Sequence, residues 1–245
     1  MKSAVADCCK LCSSNGPLHP CSHVIPQWMY EMLPMDKRRM KIASSHVEEY
    51  EEKSQTGIYG TYVCKKCEDR FAAWDDYAAM VLRRQPDSTA QGLDFGQYDY
   101  NRLSRFFLSV LWRAHACEHR FFESVDLNSY AYLLGQCLLC DDAYTLKDFD
   151  VIPTWSSHDL ACGVMTPIMV QIESITYWQF YLPRFQVLIK VVPGPGAACL
   201  QSFVMAAGKN LCMLEKEFTE FDEIQIVERV VKENMKKKNG KFKKS

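Results

Sequence analysis

Two Cys-x-x-Cys pairs constrain this chain more than any other feature. They are Cys9-Lys10-Leu11-Cys12 and Cys64-Lys65-Lys66-Cys67. Paired thiolates at a two-residue gap are the usual donors of a closed tetrahedral zinc site, and such a site joins distant segments. The chain carries twelve cysteines in 245 residues. Met1–Asp7 holds no apolar run ahead of Cys8, so no secretory signal is expected. A reducing, cytoplasmic compartment follows, and there Cys-x-x-Cys spacing points to zinc rather than to disulfides. Cys8 and Cys21 compete with Cys9 as ligands; the gap to Cys12 favours Cys9. No stretch of about 18 apolar residues exists, so no membrane span is expected. A net charge of −1 gives no global attraction to nucleic acid, so any such contact needs a local patch.

Around the pairs, residues 8–26 read as a zinc knuckle and short hairpin turning at Asn15-Gly16-Pro17. Residues 27–41 read as a helix through Trp28, Met29, Met32 and Leu33, ending in the basic cluster Lys37-Arg38-Arg39. That cluster is either a solvated helix end or a contact for a nucleic-acid backbone. A strand is expected over Ile58–Val63. Residues 64–84 predict a helix, since Phe71, Trp74, Ala78, Val81 and Leu82 recur three and four apart. Residues 86–98 read as loop. Residues 100–122 predict the strongest helix, with Leu103, Phe106, Phe107, Val110, Leu111 and Ala114 on one face and Arg102, Arg105 and Arg113 off it. Trp112 and His115 read as packing residues.

The second half opens on a third pair, Cys137-Leu138-Leu139-Cys140. The run from Cys9 through Leu18 to Val24-Ile25-Pro26-Gln27-Trp28 matches Cys137 through Leu146 to Val151-Ile152-Pro153-Thr154-Trp155. Gly60 to Cys64 likewise matches Gly208 to Cys212, with Glu215 in place of the second cysteine. This reads as an internal duplication with a degenerate second copy, chance similarity being the alternative. A second metal would then use Cys137, Cys140 and Cys212, with His158, Cys162 or Cys199 as further donors. Strands are expected at 168–175, 185–192 and 201–206, with a turn at Pro193–Gly196. An amphipathic helix is expected over 223–236. The tail that follows holds six lysines from Lys236 on, a soluble end or a basic arm.

Ser22-His23-Val24-Ile25-Pro26 after the first pair, Cys64 to Phe71 at the second, and Ser109-Val110-Leu111-Trp112-Arg113 together resemble the zinc-stapled HNH (ββα-metal) nuclease superfamily. The likeness is to a bacterial subgroup with S-H-I-I-P, C-x-x-C-E-x-R-F and S-L-x-W-R motifs, and spans residues 8–115. It implies a structural zinc on Cys9, Cys12, Cys64 and Cys67. It implies His23 as general base and Glu68 as a helix-borne ligand to one magnesium or manganese ion, with Ser22 where the family's usual Asp stands. The family's middle Asn is absent before Cys64, where Gly60, Thr61 and Tyr62 stand.

The expected fold is therefore α+β. A zinc-knuckle ββα-metal core, HNH- or treble-clef-like, with a helical extension occupies 1–126. A strand-rich half, the degenerate duplicate, occupies 127–245. The resemblance implies a metal-dependent endonuclease acting on DNA, within a phage-defence or mobile-element system and with a protein partner. The alternative is a zinc-stapled module that binds nucleic acid or a protein without catalysis.

Overall fold

The computed structural model describes residues 8–32, 40–43, 50–53, 57–140, 143–156 and 163–216. It is mixed α+β. Strands β1 (Ser22–His23) and β4 (Tyr59–Gly60) form a small antiparallel ribbon, with Ser22 opposite Gly60 and His23 opposite Tyr59. Helix α1 (Gln27–Glu31) follows β1, with Pro26 as its N-cap, where a missing N–H costs nothing. Helix α2 (Lys65–Leu82) starts at Cys64 and buries Phe71, Trp74, Ala78, Val81 and Leu82, the stripe its spacing predicts.

Helix α3 (Tyr100–Ala116) is capped by Asp99, whose carboxylate accepts from the Arg102 N–H at 3.1 Å. It packs against α2 and against α4 (Tyr130–Leu139), so it is enclosed along most of its length. It ends six residues short of expectation; Arg120–Phe122 is a separate 3₁₀ turn that buries Phe121 and Phe122.

A nine-stranded sheet runs in the order β3-β2-β8-β9-β10-β7-β11-β6-β5. Its strands are β2 (Met40–Ala43), β3 (Tyr50–Lys53), β5 (Asp87–Thr89), β6 (Gly92–Gln97), β7 (Asp150–Ser156), β8 (Gly163–Ile172), β9 (Ile175–Leu182), β10 (Phe185–Lys190) and β11 (Asn210–Lys216). β2–β8 and β11–β7 are parallel; the other pairings are antiparallel. The sheet takes strands from both sides of residue 126, and one apolar core runs from Cys9 to Met213. The expected division at 126 thus passes through a shared sheet and a shared core.

Several local expectations are corrected. The helix expected over 27–41 stops at Glu31, and 40–43 is a strand. The loop expected over 86–98 is the β5–β6 hairpin, with Leu93 and Phe95 alternating inward. Residues 201–206, expected as strand, form none: 201–203 complete a 3₁₀ turn at Ala198–Phe203 and 204–206 are irregular. The strand expected over 168–175 runs through a turn: Glu173 and Ser174 both have positive φ, 49° and 65°, the hairpin geometry usually signalled by Asn-Gly. The helix expected over 223–236, the lysine tail and Lys37-Arg38-Arg39 lie outside the described residues.

The repeat does not carry over into local conformation. Residues 9–12 form a non-helical knuckle, whereas Cys137 lies in the last turn of α4 and Cys140 is its C-cap. Gln27 opens a helix, whereas Thr154 and Trp155 lie within β7. A two-residue gap between cysteines suits a helical turn as well as a knuckle. In Tyr130–Leu139 the apolar neighbours decide for the helix.

Candidate metal centre

The knuckle is built by main-chain bonds. The Cys9 N–H donates to the Ser14 carbonyl at 3.0 Å and the Ser13 N–H to the Cys9 carbonyl at 2.8 Å, with Ser13 at φ 56°. The turn thus lies at 10–13 rather than at Asn15–Pro17, and Asn15 bridges back to Cys8. The knuckle then docks on the segment that leads into α2. Lys10 N–H reaches the Tyr62 carbonyl, His19 N–H reaches the Val63 carbonyl, and Leu18 bridges to Cys64. Cys64 and Cys67, at the start of α2, are thereby placed against Cys9 and Cys12.

The four sulfurs lie within 4.8 Å of one another. Cys9 and Cys67 are 3.8 Å apart, as are Cys12 and Cys64. A tetrahedron with zinc–sulfur bonds of about 2.3 Å separates its sulfurs by about 3.8 Å. The Cys64 N–H also donates to the Cys9 sulfur at 3.3 Å, a bond that steadies and orients a thiolate ligand. Cys9 and Cys67 are buried, and Cys12 and Cys64 half-buried. The donor set fits a structural zinc. Cys8 and Cys21 do not join it.

Without metal, the four thiols differ. Burial pushes Cys9 and Cys67 up. Burial also raises Cys12, but hydrogen bonds from Ser14, Cys9 and Cys67 together outweigh it and leave the thiol at about 6. Burial raises Cys64 less than the Cys67 N–H and the Ser14 hydroxyl lower it, so the net shift is downward.

His23 lies on β1, opposite Tyr59 on β4, and Tyr59 stands five residues before Cys64 in the chain. Its ring meets Tyr59 edge-on at 5.8 Å, and its carbonyl accepts from the Tyr62 hydroxyl at 3.2 Å and from Arg113 Nη1 at 3.1 Å. Arg113 is 1% exposed and grips Asp75 through two bonds of 2.8 and 2.9 Å. Its Nη2 also donates to the Ser109 hydroxyl at 3.1 Å, and its guanidinium lies over the Phe71 ring. Asp75 lies two turns beyond Glu68 on α2. Glu68 itself is half-buried, and its Oε2 is enclosed with no hydrogen-bond partner. Ser22 is fully buried, and its hydroxyl likewise has no partner.

Arg113 and Arg105, expected off the apolar face of α3, are both buried. Phe106, Val110 and Arg113 follow at spacings of four and three, so the helical repeat itself places Arg113 on that face. Trp112 packs between Tyr62 and Phe71, and His115 bonds the main chain near Val125 and Leu127, both as expected.

Among the described residues, the four cysteines are the one group of three or more His, Cys, Asp or Glu side chains placed to hold an ion. His23 and Glu68 do not gather with a third such ligand. Cys137 is buried in α4, Cys140 is exposed at its end, and Cys212 is exposed on β11; they form no second group. His158 and Cys162 lie outside the described residues. No described helix is long and apolar enough to cross a membrane. No family model, curated protein or solved structure matches the chain.

Proposed function

We propose that the chain is a zinc-stapled, HNH-like endonuclease acting on DNA, with His23 as general base. The observation that carries this reading is the enclosed, unpartnered carboxylate oxygen of Glu68 in the first turn of α2, on the helix that the zinc centre ties to the ribbon bearing His23. A carboxylate oxygen with no donor of its own suits a hard divalent ion. Water attacks the phosphorus of a phosphodiester, its proton passes to the His23 imidazole, and the bond from phosphorus to the leaving oxygen breaks. One magnesium or manganese ion, held by Glu68 with the Ser22 hydroxyl close by in sequence to His23, would offset the charge that develops on the leaving oxygen. The bonds from Tyr62 and Arg113 hold the His23 main chain for this role. A phage-defence or mobile-element setting with a protein partner belongs to the same proposal.

A second reading is a zinc-stapled binding module without catalysis. Asp75, the nearest further carboxylate along α2 on that face, is committed to Arg113, which leaves the ion fewer charged donors. Plasmid cleavage by zinc-replete protein with magnesium or manganese separates the two. His23→Ala is expected to slow cutting by about 10²–10⁴, the usual span for one general base. Glu68→Gln is expected to change the metal requirement. If no divalent metal supports cutting, or His23→Ala cuts as wild type does, the binding-module reading replaces the nuclease.

A further inference from the structure

A cleft of about 480 Å³ opens at the far end of α2, where the β5 strand, the β9–β10 turn and β11 converge. Arg83, Arg84 and Arg184 line it, with Trp155, Ser88 and Glu215. Each arginine is held in place from one side. Arg83 lies over the Trp28 ring at 5.6 Å and donates to the Trp28 carbonyl and to Glu31. Arg184 lies over the Trp155 ring at 5.8 Å, and its Nε donates to the Met32 carbonyl. Arg84 Nη1 bonds the carbonyls of Phe95 and Gln97. Stacking and single-edge anchoring fix a guanidinium while leaving other N–H groups of its fork for a ligand.

The charges do not cancel locally. Glu31 neutralises Arg83, and the negative end of α2 offsets about half a charge. Arg84 and Arg184 have no carboxylate partner among the described residues, and Glu215 is the acidic side chain on the wall. Arg184 also occupies the third position of the turn Leu182-Pro183-Arg184-Phe185 at φ 66°, where glycine would be free of strain. An arginine is placed there despite that cost.

We propose that this cleft binds the phosphodiester backbone of a nucleic-acid strand, with Arg84 and Arg184 as the phosphate contacts. The assignment rests on the nucleic-acid reading above and names where the strand runs. From Asp75, whose carboxylate holds the arginine bonded to His23, to Arg83 is eight residues, or about 12 Å along the helix axis. A strand advancing about 3.4 Å per nucleotide covers that in three to four nucleotides. Two phosphates of one strand can thus lie in the cleft while one about three to four nucleotides further along lies at the level of Asp75, whose partner Arg113 holds the His23 carbonyl. Planar, bidentate recognition of phosphate oxygens is what an arginine fork performs best.

The test is fluorescence anisotropy with labelled single-stranded and duplex DNA across a salt series. His23→Ala protein serves as the background, so that cutting does not interfere. Arg84→Gln and Arg184→Gln should each weaken binding roughly four- to fivefold at about 0.15 M salt and lower the salt slope by about one. Arg102→Gln removes the same charge from an exposed site outside the cleft and should leave the slope unchanged. Arg184→Lys, which keeps the charge, should lose less than Arg184→Gln, and matching thermal melts for the folded variants separate binding from stability. The proposal is overturned if the cleft variants keep the wild-type slope, if Arg102→Gln loses as much, or if polyglutamate binds the cleft as tightly as DNA does. Absence of cleavage with these binding losses intact would remove the catalytic reading and leave the cleft.

Discussion

Arg113 and His23, 90 residues apart in the chain, meet through one hydrogen bond: Arg113 Nη1 donates to the His23 carbonyl at 3.1 Å. The same guanidinium grips Asp75 on α2, so one buried cation joins α3, α2 and the small ribbon. Coulomb attraction inside a dry core is strong, but the cost of desolvating both charges largely offsets it. The pair therefore acts less as net stabilisation than as a geometric lock on the His23 main chain.

That balance predicts an asymmetric response. Asp75→Ala leaves Arg113 buried without its counter-charge and should cost about 3–5 kcal/mol in urea denaturation. Replacing both, Asp75→Leu with Arg113→Met, should recover most of that loss. A single substitution costing under about 1 kcal/mol would show that water reaches the pair.

Zinc affinity should rise steeply with pH. Burial holds the Cys9 and Cys67 thiols above their ordinary range, so both are protonated at neutral pH in the metal-free protein. Cys12, at about 6, is already a thiolate at pH 7. Zinc takes thiolates, so binding must release at least the protons of Cys9 and Cys67. Apparent affinity should then climb at least about a hundredfold per pH unit between about pH 7 and 8, read by competition with a chromophoric chelator. A slope of tenfold or less would mean the buried thiols are not ligands.

Elemental analysis should return one zinc per chain. Cys64→Ser should lose it together with much of the folding energy, since structural zinc binding is worth on the order of 10 kcal/mol in small zinc modules. Cys140→Ser, exposed and outside the four-cysteine group, should change neither zinc content nor melting temperature. Two equivalents of zinc, or loss of metal from Cys140→Ser, would contradict the single centre.

Gly92 begins β6 at φ 128°, and a Cβ there would sit against the Met213 main-chain oxygen on β11. Gly208 also has positive φ, at 76°, but faces open space. Gly208→Ala should cost about 1 kcal/mol of backbone strain, and Gly92→Ala clearly more, because main-chain atoms cannot step aside. Equal thermal shifts for the two would mean that β6 and β11 are not packed as described.

The metal centre was legible because its signal is local chemistry. Two Cys-x-x-Cys pairs, each outside an apolar helical repeat at its first cysteine, supply the four thiolates one ion needs, and the choice of Cys9 over Cys8 and Cys21 followed from spacing alone. The bodies of α2 and α3 were legible for a similar reason, since burial of one helix face repeats every three or four residues. The same logic misled at Cys137-Leu138-Leu139-Cys140, where the identical spacing is a helical turn, and past Ile172, where Glu173-Ser174 makes a hairpin without Asn or Gly.

Strand partnership was decided only by the tertiary structure. β2 finds β8 and β7 finds β11 across more than fifty residues, and a ladder bond leaves no periodic trace in either strand. Pro153 argues against a central strand, yet β11 joins β7 only from Thr154 onward, so the ladder on that side does not begin until the proline is passed. The repeat places Arg113 on the apolar face, but only the fold brings Asp75 and the His23 carbonyl to it, and the arginine cleft exists only where α2, the β9–β10 turn and β11 meet. Spacing along the chain encodes which face of an element is apolar and which thiols can share an ion. The partner that a buried charge or an unpaired strand edge finds depends on long-range packing of the whole core.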